Sequence, residues 1–454
     1  MYLALAALHL SAPAHAFCGT YVGPTGSSLE NGTSQVIVAR HGNVTTLTLS
    51  ADVVGDTSSF ALVIPMPEVL DAADVSVVEH GVFTALDAYS APRIVSYTCD
   101  DLHGRDDLDT GLDTGDTGAV AEDADGVVVE NAFAVGGYDI SVLSATGAEG
   151  LLSWLDANGY SLPATSADVL QSYIDAGQYF LAAKVSLDAE PTDEAFLPPL
   201  QFRYSAEMWS LPIRIGTTVS PGEQDVVIFA LTSAADGAVG ISNYPEAPVE
   251  SDCMLPEGTD DMTAFYAGQL DNAFAAGIWF TEYAWDSSGC DPCSGQPPSD
   301  ETLTMAGVDS PENGAVLTRL RLRYSPEEAT QDLVLYASGL SARSQVKYVQ
   351  YVHELEADFP VCGVGMVVDG GECPDGEDTG EDDEDSGTGE DSADGEDSGV
   401  DDSATDDVDA WDDDGEIPAD DDAAASGCGC ASGGSAGVAY AGLAGLALLA
   451  RRRR

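Results

Sequence analysis

From Pro374 to Ser426 the chain is almost entirely Asp, Glu, Gly, Ser and Thr. A segment so poor in apolar residues cannot bury enough surface to offset the entropy of ordering it. Like-charge repulsion keeps it expanded, and a free coil of about 50 residues already spans roughly 40 Å. Residues 374–426 are therefore predicted to form a disordered acidic stalk. A second tract, Asp100–Gly126, repeats Asp-Thr-Gly from Asp109, Asp113 and Asp116, and is predicted to be a disordered insertion in an otherwise folded body.

Acidic residues outnumber basic ones 79 to 15, giving a formal charge of −64, and the only lysines are Lys184 and Lys347. Nucleic acid is excluded as a partner, because a phosphate backbone needs a basic stripe to displace its counterions. Hard cations take carboxylate oxygens, so the Asp-rich runs invite a calcium reading. Asp123–Gly126 and Asp412–Gly415 nevertheless lack the spaced ligand set of an EF-hand, and weak calcium binding is all that they predict.

Both ends look like addresses. Tyr2–Leu10 is apolar, Pro13 breaks the run, and Ala14-His15-Ala16 is a small-x-small cleavage site, so residues 1–16 are predicted to be a signal peptide. Ala431–Ala450 is free of charge and about as long as the roughly 20 residues that cross a bilayer. Arg451, Arg452, Arg453 and Arg454 follow it and would fix that end in the cytoplasm. A transmembrane helix over 431–450 is therefore expected, within an anchor segment 427–454. The order Gly427-Cys428-Gly429-Cys430, small apolar span, arginine block resembles the myxobacterial C-terminal sorting signal. That resemblance implies processing by a sorting protease near Cys428 or Cys430 and an anchored place at the outer cell surface.

Between the ends, strand and helix patterns alternate irregularly. Gln35–Arg40 and Val44–Val54 read as a hairpin around His41-Gly42-Asn43, and Ser59–Ile64 as a strand ended by Pro65-Met66-Pro67. Val82–Tyr89, Gly147–Asn158, Ser166–Ala176 and Met262–Ala275 carry helical spacing. Further strands are expected at Val127–Phe133, Tyr138–Leu143, Tyr179–Leu187, Leu200–Tyr204, Ile213–Val219, Asp225–Leu231, Leu317–Tyr324, Asp332–Ala337 and Val346–His353. The fold class is α+β: a β-rich main body over 17–250, a cysteine-containing part over 251–373, a few short helices, then the stalk and the membrane helix.

Cys18, Cys99, Cys253, Cys290, Cys293, Cys362 and Cys373 would face an oxidising compartment, where disulfides are the default. Pairing Cys18 with Cys99 and Cys362 with Cys373 brackets two compact stretches. Cys290-Asp291-Pro292-Cys293 has the spacing of a redox motif, but with other cysteines nearby a structural pair is the simpler reading. Arg319, Arg321 and Arg323 share one face of a strand by alternation. They either recognise an anionic ligand or pair with acidic neighbours inside the fold.

No metalloprotease, nucleophile-elbow, phosphate-loop or dinucleotide motif occurs in the sequence. The segments Ala16–Val22, Phe60–Pro67 and Ala91–Val95, continuing through Trp154, Phe180–Val185 and Leu317–Leu320, resemble the secreted bacterial family of domain of unknown function 2330. That resemblance implies an exported envelope protein and brings no activity with it. The expected function is a surface-anchored, non-enzymatic protein with a structural, adhesive or ligand-binding role, its partners the membrane and a surface polysaccharide or protein ligand. An envelope hydrolase or thiol-disulfide enzyme is the alternative.

Overall fold

Alternating apolar residues on either side of Gly42 make the first long strands, Ser34–His41 and Val44–Ser50, which pair antiparallel from Gln35↔Ser50 to His41↔Val44. Gly42 turns the chain at a φ of +56°, a conformation that costs a side-chain-bearing residue. The computed structural model describes residues 20–22, 30–31, 34–50, 53–54, 61–99, 127–158, 162–185, 198–219, 222–289, 291–340 and 343–373.

This hairpin lies inside an eight-stranded mixed sheet. Its spatial order is Ser344–Gln345, Trp279–Asp286, Val316–Tyr324, Gln224–Thr232, Ser34–His41, Val44–Ser50, Leu200–Ser205 and Val75–Val77. Gln224–Thr232 runs parallel to Ser34–His41, and the other neighbours are antiparallel. The sheet draws strands from both sides of residue 250, so the two stretches share one scaffold.

A five-stranded antiparallel sheet, in the order Thr20–Val22, Ala61–Met66, Tyr179–Val185, Tyr138–Ser144, Val128–Val135, packs on one face of the larger sheet. Val36, Leu47, Ile228 and Leu322 from one sheet meet Ile64, Ile140, Val142 and Leu181 from the other. Helices close the outer faces. Ala148–Ala157 and Ala167–Asp175 cover the smaller sheet through Leu151, Leu155 and Leu170. Gly81–Ser90 and Asp300–Met305 cover part of the larger one through Phe83, Leu86 and Leu303, and Met262–Phe274 covers the rest through Tyr266 and Leu270.

The four expected helices form, within a few residues at each end. Two other local readings fail for identifiable reasons. Ala61–Met66 continues through Pro65, which lies opposite Phe180 in the pairing with Tyr179–Val185, so the strand does not end at Ile64. Ile213–Val219 is not a strand: Arg214–Thr217 is a short helix. Asp332 Oδ1 accepts the Arg214 backbone N–H at 3.2 Å, and the Arg214 guanidinium lies 5.0 Å from the Tyr173 ring centroid. These tertiary partners override the preference of β-branched residues for strands.

The disulfide expectation is corrected in its pairing. Cys362 bonds to Cys253, not Cys373, joining chain positions 109 residues apart. Cys99, Cys293 and Cys373 are also disulfide-bonded. Cys18 and Cys290 lie outside the described residues.

The fold class is corrected as well. The described chain is an α+β fold dominated by mixed sheets with short helices, and no helix among the described residues is long and apolar enough to cross a membrane. The stretch 431–450, the tracts 100–126 and 374–426, the signal segment 1–16, Cys428, Cys430 and Arg451 to Arg454 all lie outside the described residues.

Candidate functional site

Period-2 alternation puts Arg319, Arg321 and Arg323 of the strand Val316–Tyr324 on the helix-covered face of the large sheet, and each meets carboxylates there. Arg319, 5% exposed, pairs with Asp87 of the helix Gly81–Ser90 at 2.6 Å and with Glu282. Arg321 faces Asp225 at 2.7 and 2.9 Å. Arg323 bridges Asp225 and Asp271, the latter on the helix Met262–Phe274, at 3.4 and 2.7 Å. Phe229 and Phe274 take the guanidinium faces of Arg319 and Arg323 at 5.3 and 5.1 Å.

Glu282 is the centre of this ladder and has no partner in the strand register: Thr281 lies opposite Leu320 and Tyr283 opposite Arg319. The bulge brings its carboxylate, 1% exposed, to Arg319 and to the Tyr266 hydroxyl, which donates at 2.5 Å. Burial pushes the Glu282 carboxyl up, but Arg319 and Arg321, with the hydrogen bonds of Tyr266 and Arg319, hold it below the ordinary carboxylate value. Burial and the adjacent Glu282 charge push the Tyr266 hydroxyl well up, so it stays protonated. Of the two sequence readings of the arginine stripe, the structure shows internal pairing. These groups pair with one another and dock two helices on the sheet.

A different constellation opens at the rim of the sandwich. A cavity of about 230 Å³ is lined by Arg40, Glu207, Trp209, Thr232, Asp236 and Tyr336, among others. Arg40 is the next-to-last residue of the strand Ser34–His41, and its guanidinium donates to Thr45 Oγ1 at 2.9 Å and to the Ala206 carbonyl at 2.8 Å. It lies 5.6 Å from the Trp209 ring centroid. Arg40 makes no ion pair among the described residues. Burial lowers its pKa, with Tyr204 and Asp236 opposing.

Trp209 is 6% exposed, and its indole N–H has no hydrogen-bond partner among the described residues. A buried indole N–H normally finds an acceptor. A backbone contact fixes the residue that carries the ring, since the Leu335 N–H donates to the Trp209 carbonyl at 2.8 Å. Tyr336, 47% exposed, lies over Gly240, where a Cβ would stand 2.7 Å from the tyrosine ring. The turn carrying Asp236 is held by Ser233, which donates to Asp236 Oδ2 at 2.6 Å, and by Thr232, which donates to the Gly237 carbonyl at 2.6 Å. Glu207 is exposed beside this turn region of the cavity lining.

Sequence reasoning singled out none of Arg40, Trp209 and Tyr336. The one available signal was Arg40 itself, a scarce cation next to a predicted tight turn. Cys253, Cys362 and the arginine ladder lie away from the cavity lining. His353 meets Glu356 Oε2 at 3.1 Å. Among the described residues there is no group of three or more His, Cys, Asp or Glu side chains placed to hold a metal ion.

The surface-anchored envelope protein expected from the tail is corrected together with its location and its membrane, sorting-protease and surface-ligand partners. The described residues supply no membrane-spanning helix, and what they supply is an α+β body. A family model described as "uncharacterized protein conserved in bacteria (DUF2330)" matches residues 12–336. No curated protein and no solved structure matches the chain.

Proposed function

Since the chain belongs to the DUF2330 family over most of its length, and that family's description assigns no activity, we propose a function from the chain's own geometry: a binding module that takes a small ligand in the Arg40–Trp209 cavity. One observation carries this reading. Trp209, whose buried indole N–H has no partner among the described residues, and Arg40, whose guanidinium has no ion pair among them, line the same small cavity. Such groups gain most from a ligand that brings its own acceptors, because each is already desolvated by the fold.

The binding reading is tested by labelling the tryptophan indoles with ¹⁵N in the full chain, assigning Trp209 through Trp209→Phe, and screening a small-fragment library. Saturable shifts of the Trp209 N–H, lost in Arg40→Gln, are expected. A Trp209 resonance that no fragment moves would overturn the proposal.

A further inference from the structure

The cavity carries charges of both signs held apart. Arg40 lines it without an ion pair among the described residues, while Glu207 and Asp236 line the same 230 Å³ space. The Asp236 charge acts on Arg40 without forming a contact pair. Asp236 is fixed by Ser233 and cannot swing to neutralise the guanidinium without losing that 2.6 Å bond. The exposed Tyr336 ring and Leu335 add an apolar wall.

From this arrangement, and resting on the binding role proposed above, we infer that the ligand is a small zwitterion of the α-amino acid type. Its carboxylate faces Arg40 beside the Trp209 ring, its ammonium faces Glu207 and Asp236, and its side chain lies against Tyr336. A carboxylate on the Arg40 guanidinium makes charge-assisted hydrogen bonds, about twice as strong as neutral ones. A simple anion would meet the two carboxylates as repulsion, and a simple cation would meet Arg40. The site therefore selects for both charges on one molecule through repulsion of the alternatives. The volume, below the roughly 300–1,000 Å³ of drug-sized sites, fits a ligand of amino-acid size.

The test titrates the ¹⁵N-indole-labelled full chain with L-valine, N-acetyl-L-valine and isobutylamine, reading the Trp209 N–H. L-Valine should bind with a Kd on the order of 1 mM or tighter, and the two singly charged probes at least about tenfold more weakly. In Glu207→Gln combined with Asp236→Asn, N-acetyl-L-valine should gain on L-valine by a similar factor. Glu207→Gln alone, at an exposed position, should give the same trend in smaller degree and guards against misfolding of the double variant. If N-acetyl-L-valine binds as well as L-valine, the zwitterion is wrong while the binding cavity stands. If none of the three moves the resonance up to about 20 mM, the zwitterion is again wrong, and the fragment screen then decides separately whether the cavity binds anything.

Discussion

Glu282 shows how one side chain gains its importance from neighbours that are remote in sequence: Arg319, itself shared with Asp87, completes its ion pair, and the Tyr266 hydroxyl donates to it. Truncating it leaves Arg319 buried with one of its two charge partners and Arg321 with Asp225 as its nearby carboxylate. Glu282→Ala is expected to cost about 3–5 kcal/mol in urea unfolding, the usual penalty for breaking a buried pair from one side. Glu282→Gln keeps an acceptor for Tyr266 and should cost less. The carboxyl's folded value lies below its unfolded one of about 4.3, so its contribution is complete above that pH and is lost as pH falls through the folded value. The stability gap between the wild-type protein and Glu282→Gln should therefore be largest near neutrality and close below about pH 4. A gap that persists unchanged into acid would show that the carboxylate's charge is not what stabilises the ladder.

Elements here follow local rules until a partner overrules them. The turn at 233–237 ends on Gly237 at a φ of +71°, where a Cβ would stand 2.3 Å from the Leu340 carbonyl oxygen. Gly237→Ala must strain the backbone and push a neighbouring strand connection, so it should destabilise by more than the roughly 1 kcal/mol of the backbone term alone. It should also broaden the Trp209 indole resonance, since Asp236 and Thr232 of that turn line the cavity. Gly42→Ala, at a φ of +56° with nothing within 4 Å of its Cβ, should cost only the backbone term. Thermal denaturation of the pair separates crowding from conformational strain. The hairpin around Gly42 was legible because turn chemistry and alternation both lie within a few residues. The helix Arg214–Thr217 was not legible, because Asp332 and Tyr173, which hold it, are remote in sequence.

Over the whole described body, the Cys253–Cys362 bond closes a loop of 109 residues, which in the chain-entropy account contributes about 4–5 kcal/mol. Cys253→Ser with Cys362→Ser should lower stability by about that amount, and the loss should vanish when variant and parent are compared under reducing conditions. An unchanged difference under reduction would mean that packing of the buried sulfurs, not the crosslink, is responsible. At this scale the sequence by itself determined the mixture of strands and short helices, the hairpin at Gly42, and the family to which the chain belongs. Those features depend on periodicity and turn residues, which act over a few positions. Only the tertiary structure decided that Cys362 takes Cys253, that the arginine stripe faces inward, that Pro65 sits within a strand, and that Arg40, Trp209 and Tyr336 share a cavity. Each of these is set by register and packing between segments far apart in the chain, and strand alternation fixes which face a residue occupies without fixing what covers that face.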